Sequence, residues 1–137
     1  MSVVGVLDAG VVLAVLDDRQ AGHRAARALL ARGRRGSVDL HLSAVNLAEA
    51  IQHALPITRA SGLDLMSLLD ACSVAIHRPD VLVARRAATL CSLPRVSLAD
   101  RFAAATALAL GARLHTTDRA LAAALREAGI HLAVTLY

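Results

Sequence analysis

Short, continuous apolar runs alternate along the chain with longer stretches whose apolar residues recur at helical spacing, and this alternation predicts the elements in order. Val3 to Leu7 is apolar apart from Gly5, as expected of a strand covered on both faces, and Asp8 ends it. Ala9-Gly10 is expected to turn the chain into a short apolar helix, Val11 to Leu16, closed by Asp17-Asp18. From Ala21 to Arg34 the pattern is Ala, Leu and Arg at helical spacing, ending at Gly33 and Gly36. Val38 to Leu42 alternates and reads as a strand with less buried faces. Ser43 caps a helix expected to end at Leu55, where Pro56 stops it. Gly62 and Asp64 begin another helix to Ala71, and Val74-Ala75-Ile76 has strand or connector character. Arg78-Pro79-Asp80 starts a helix to Leu90 with proline in the first turn, and Cys91 to Val96 reads as a loop.

The stretch from Ser97 to Leu121 carries the most information. Ser97 can cap a helix through its hydroxyl, Asp100 lies in that first turn, and Gly111 suits a left-handed stop after Leu110. Arg113 to Thr116 then reads as a short strand that delivers Asp118 to its carboxyl end, ahead of a helix to Ala128 and a final strand, Ile130 to Leu136. Strands and helices in this order predict an α/β fold, with a mostly parallel sheet of four to five strands and helices on both faces. The 137 residues suffice for a single domain, 1–137, with its own core.

In such a fold the helices run back against the strands, so strand ends and helix starts share one edge, where sites form. Asp8 and Asp118 follow strands, Asp100 opens a helix, and Glu49 lies about 9 Å into a helix that starts at the same edge. Carboxylates converging this way repel one another and raise each other's pKa, a conflict that a divalent cation removes. Oxygen ligands without Cys or clustered His favour Mg²⁺ or Mn²⁺ over zinc. Each residue also has a structural reading. Asp8 can cap the helix after it, Asp100 can pair with Ser97 in a capping box, Asp118 can complement a helix dipole, and Glu49 can sit on a solvated face. Their convergence carries the argument.

Composition narrows the field. Phe102 and Tyr137 are the only Phe, Tyr or Trp side chains, so a platform for stacking bases is not expected. A net charge of +4 suits an anionic partner, yet all 15 basic residues are Arg, so no lysine can act as nucleophile or phosphate ligand. The missing lysine and the lone early Asp8 also argue against a receiver-like signalling domain. Arg101 and Arg119, each next to a candidate ligand, can hold phosphates or simply face solvent, and the arginines from Arg24 to Arg35 read as a solvated helix face. Cys72 and Cys91 are expected to be buried, free thiols. No basic leader and no apolar run of membrane-spanning length is present, which predicts a soluble, cytoplasmic protein with no membrane association.

VLDAG at 6–10, SAVNLAEA at 43–50, LADRFAAATALALGA at 98–112 and LHTTDRAL at 114–121 together resemble the ordered motifs of PIN-domain ribonucleases, and of VapC-type toxins of bacterial toxin–antitoxin pairs in particular. The resemblance implies a PIN-like α/β/α sandwich and a metal-dependent endoribonuclease acting on RNA with Mg²⁺ or Mn²⁺. It makes Asp8, Glu49, Asp100 and Asp118 the acidic quartet and Thr116 the hydroxyl beside the metal, with Asn46 supporting the site. It also implies a cognate antitoxin as partner, with a homodimer expected from the apolar composition, whose mean hydropathy is +0.54. The helices over Val11 to Leu16 and Ala21 to Arg34 are candidates for the antitoxin groove. One departure stands out. The family commonly carries Ser or Thr two residues after the first Asp, whereas this chain has Gly10, and Gly10→Ser is expected to preserve or increase activity unless the turn needs a positive φ. A PIN-like domain that binds RNA or protein without cutting is the alternative.

Overall fold

The computed structural model describes residues 2–137. Five strands form one all-parallel sheet, β1 (Val3–Leu7), β2 (Val38–Ser43), β3 (Ala75–His77), β4 (Arg113–Thr116) and β5 (Val134–Leu136), in the spatial order β3-β2-β1-β4-β5. The helices are α1 (Ala9–Leu16), α2 (His23–Arg34), α3 (Ala44–Ser61), α4 (Leu65–Ala71), α5 (Val81–Thr89), α6 (Leu98–Leu110) and α7 (Arg119–Glu127). Alternation along β1 splits the core between the two sheet faces. Leu7 packs with Leu40, Leu42 and residues of α1, α2 and α3, whereas Val6 packs with Leu114 and residues of α6 and α7. The result is an α/β/α sandwich of the expected PIN-like kind.

Several boundaries differ from the sequence pattern, each for a local reason. Ala9 and Gly10 are not a turn but the first residues of α1, because Asp8 caps the helix immediately after the strand. Pro56 does not stop α3, which continues to Ser61. Proline removes the bond to the Gln52 carbonyl, but Gln52 and Pro56 both lie on the exposed side, where water can satisfy that oxygen. Gly62, at φ 69°, makes the stop instead. Pro79 precedes the cap Asp80 rather than occupying the first turn of α5. The stretch after α5 holds a short 3-10 turn, Leu90–Ser92, in which Leu90 and Leu93 take the buried places and Cys91 is left exposed. The final strand is shorter than Ile130 to Leu136, because β4 offers partners only from Leu114 to Thr116.

Candidate functional site

Every strand of this sheet ends at the same edge, and Asp8 and Asp118 each leave a strand to cap a helix there. Asp8 is 3% exposed. Its Oδ1 accepts from the Val11 N–H at 2.9 Å, and its Oδ2 accepts from the Thr116 hydroxyl. The same Thr116 oxygen accepts from the Asp118 N–H at 2.9 Å, so one buried hydroxyl links the two strand ends. Asp118 Oδ1 in turn accepts from the Leu121 N–H at 3.1 Å.

Asp100 is brought up by α6, whose cap Ser97 accepts from the Asp100 N–H at 3.1 Å. The carboxyl of Asp100 stands within hydrogen-bonding reach of Asp118 and feels the charges of Asp118 and Glu49. Burial comes first among the causes that raise its pKa, and those two neighbours add to it, against the lowering effect of Ser97. Burial likewise pushes Asp8 up to about 6, with Asp100 adding to the rise and the Thr116 and Val11 bonds opposing it. Asn46 is fully buried one turn before Glu49, and its Nδ2 donates to the Ala99 carbonyl at 3.0 Å, tying α3 to the start of α6 beside Asp100.

The structural readings and the convergence therefore hold together. Asp8 and Asp118 do cap helices, and all four carboxyls are linked through Asp100. Among the described residues no three His, Cys, Asp or Glu side chains are placed so that together they could hold a metal ion. The donor chemistry nevertheless fits a hard divalent cation. The groups are all oxygens, Glu49 Oε2 is buried without a hydrogen-bond partner, and burial with mutual repulsion disfavours the charged forms of Asp8 and Asp100.

The sequence profile of the PIN domain matches residues 5–126, a span that contains all four acids. The chain belongs to the PIN domain family. No curated protein sequence gives a match. Among solved structures, this PIN domain is similar to FitAcB from Neisseria gonorrhoeae, with a TM-score of 0.67 and 23% identity over 95% of each chain. A toxin–antitoxin complex from Klebsiella pneumoniae gives 0.67 and 20% identity, covering 97% of this chain and 98% of that one. VapC20 of Mycobacterium tuberculosis, a toxin that cleaves the sarcin–ricin loop, gives 0.63 and 17% identity, covering 88% and 94%. At these identities the likeness is one of fold.

The remaining candidates separate. Arg101 is half-buried, with its Nε buried and unpartnered, whereas Arg119 is exposed at the start of α7. Arg24, Arg27, Arg32, Arg34 and Arg35 are all exposed, as a solvated face requires. His115 lies on the other face of β4 from Leu114, where its Nδ1 is 2.7 Å from the Tyr137 hydroxyl. The exposed large apolar side chains are not on α1, whose residues are used by the sheet, α2 and α3. They include Ile51, Leu55, Leu63 and Met66 on the α3–α4 hairpin and Val81, Leu82 and Leu98 at the starts of α5 and α6.

Two residues at this edge carry no motif of their own. His77 ends β3 with a buried, unpartnered Nδ1. Thr117 packs against Gly10. Gly10 is not among the glycines with positive φ, so the backbone does not bar a serine there; a Cβ at position 10 would instead meet the Thr117 hydroxyl oxygen, and one of the two must give way. The only sequence signal is the coincidence of an extra threonine before Asp118 with the missing hydroxyl at position 10.

Proposed function

We propose that this PIN domain, spanning 1–137, is a metal-dependent endoribonuclease toxin of the VapC type, held inactive by a cognate antitoxin. The observation that carries the reading is the set of four carboxyls gathered around Asp100 at the carboxyl edge of a parallel sheet, two of them with raised pKa. Asp8, Glu49, Asp100 and Asp118 would hold Mg²⁺ or Mn²⁺. The bound ion would supply Lewis-acid polarisation of an RNA phosphodiester and stabilise developing negative charge. The residues of the chain do the rest. Thr116 orients Asp8 and sets the start of α7, and Asn46 keeps Asp100 in register with Glu49. Arg101 and Arg119 flank the acids and can pair with backbone phosphates on either side of the scissile bond.

The antitoxin is supported by the toxin–antitoxin complex among the structural neighbours. Uncovered apolar side chains on α3–α4 and at the starts of α5 and α6 offer area for such a partner and for a homodimer. No helix among the described residues is long and apolar enough to cross a membrane, and the cytoplasm is the compartment where an RNA target and a partner would meet it.

A fluorescent RNA incubated with Mg²⁺, Mn²⁺ or EDTA tests the reading, with wild type beside Asp8→Asn. Cleavage that needs the ion and is lost in the variant is expected. Wild-type protein that binds RNA but cuts none with either ion would return the fold to binding without catalysis. Co-expression with the product of the neighbouring upstream reading frame tests the antitoxin, and equal growth and solubility with and without it would count against the toxin.

A further inference from the structure

Gly10 is the second residue of α1, two positions beyond Asp8. A Cβ built on it would stand 3.3 Å from Asp8 Oδ1 and 3.3 Å from the Thr117 Cβ, and would overlap the Thr117 hydroxyl oxygen. That hydroxyl therefore occupies the volume that a side chain at position 10 would enter. Thr117 reaches it from the turn between β4 and α7, between Thr116 and Asp118, and its backbone N–H also serves the Asp8 carboxyl. Asp8 is thus met by the Val11 N–H on Oδ1, by the Thr116 hydroxyl on Oδ2 and by the Thr117 backbone N–H, while the Thr117 hydroxyl fills the flank that Gly10 leaves open.

We propose that Thr117 is a positioning residue of the cation site, presenting from the β4–α7 turn the hydroxyl that a Ser or Thr at position 10 would present from α1. The inference rests on the reading of the acidic quartet as a divalent-cation site. It makes positions 10 and 117 one steric unit, in which a hydroxyl can come from either side but not from both. Gly10 is then a requirement of Thr117 rather than a defect of the site. Valine at 117 keeps the branched shape and removes only the hydroxyl, whereas serine keeps the hydroxyl and removes the methyl group. Alanine at 117 frees the volume at position 10, since the two Cβ atoms can coexist at 3.3 Å with a slight adjustment.

The test measures Mn²⁺ affinity by titration calorimetry and metal-free melting in EDTA for five proteins. These are wild type, Thr117→Val, Thr117→Ser, Gly10→Ser and the double variant Gly10→Ser/Thr117→Ala. Thr117→Val should weaken Mn²⁺ about tenfold with its melting temperature little changed, and Thr117→Ser should recover to within about threefold of wild type. Gly10→Ser alone should melt lower without metal, and the double variant should regain both melting temperature and Mn²⁺ affinity. Thr117→Val that binds Mn²⁺ as wild type does would overturn the role of the hydroxyl. Gly10→Ser that melts as wild type does would overturn the steric exclusion. Wild type without Mn²⁺ affinity would overturn the cation-site reading and Thr117's part in it, while the metal-free melts would still decide the exclusion separately.

Discussion

The Thr116 hydroxyl donates to the Asp8 carboxylate across 108 positions of sequence and joins the ends of two neighbouring parallel strands. Because the same oxygen accepts from the Asp118 N–H, Thr116 sets the orientation of one acid and the helix start of another. Thr116→Val keeps the shape and removes both bonds. Losing a buried bond to a charged group should cost about 1.5–3 kcal/mol of stability, and Mn²⁺ affinity should fall about 10- to 100-fold. Chemical denaturation and calorimetry check the two effects, and unchanged Mn²⁺ affinity would make Thr116 a structural tie only.

Stability of the metal-free protein should fall as pH rises through the window set by Asp8. Its carboxyl is raised from 3.8 to about 6, so between those values the folded chain holds a proton that the unfolded chain has released. The contribution is fully present below this window and lost above it, an effect of about 3 kcal/mol. Asp100 adds in the same direction, while the exposed Asp17 and Asp64, both lowered, oppose it weakly. Thermal melts in EDTA should show Asp8→Asn with a shallower fall between pH 4 and pH 6 than wild type, and identical slopes would refute the assignment.

Saturating Mn²⁺ should offset that fall near neutral pH, because an ion that binds only the folded state stabilises it by mass action. Protons and Mn²⁺ then compete for the same carboxylates, so the gain should shrink as pH falls towards the Asp8 value of about 6 and below. A Mn²⁺ effect on melting that is independent of pH would place the ion elsewhere.

Neutralising Asp100 removes the charge that links the other three. Asp100→Asn should raise the metal-free melting temperature by a few degrees, corresponding to about 1 kcal/mol, and abolish most cleavage. A variant that melts lower and cuts normally would leave Asp100 as a helix-start residue paired with Ser97.

Asn46→Ala breaks the bond between α3 and the Ala99 carbonyl. A loss of about 1–3 kcal/mol is expected in denaturant melts, since the Ala99 carbonyl loses this donor and the fully buried side chain leaves a cavity. Wild-type stability in this variant would mean that the helices are held by their apolar contacts alone.

The sequence by itself determined the order of elements, the parallel α/β class, and the places of Asp8 and Asp118 after strands, Asp100 at a helix start and Glu49 inside α3. These follow from local rules, since burial on both faces produces continuous apolar runs, and Ser43, Ser97 and Gly111 act on their own neighbours. Pro56 shows where local rules stop. Whether a proline ends a helix depends on whether the carbonyl it orphans faces water, which only the packing of α3 decides. Thr117 shows the same limit at the site. Its hydroxyl fills the space beside Gly10 because β1 and β4 are neighbours in the sheet, and no spacing along the chain encodes that contact. The pKa shifts of Asp8 and Asp100 also belong to the tertiary structure, because burial and charge separation are set by residues distant in sequence.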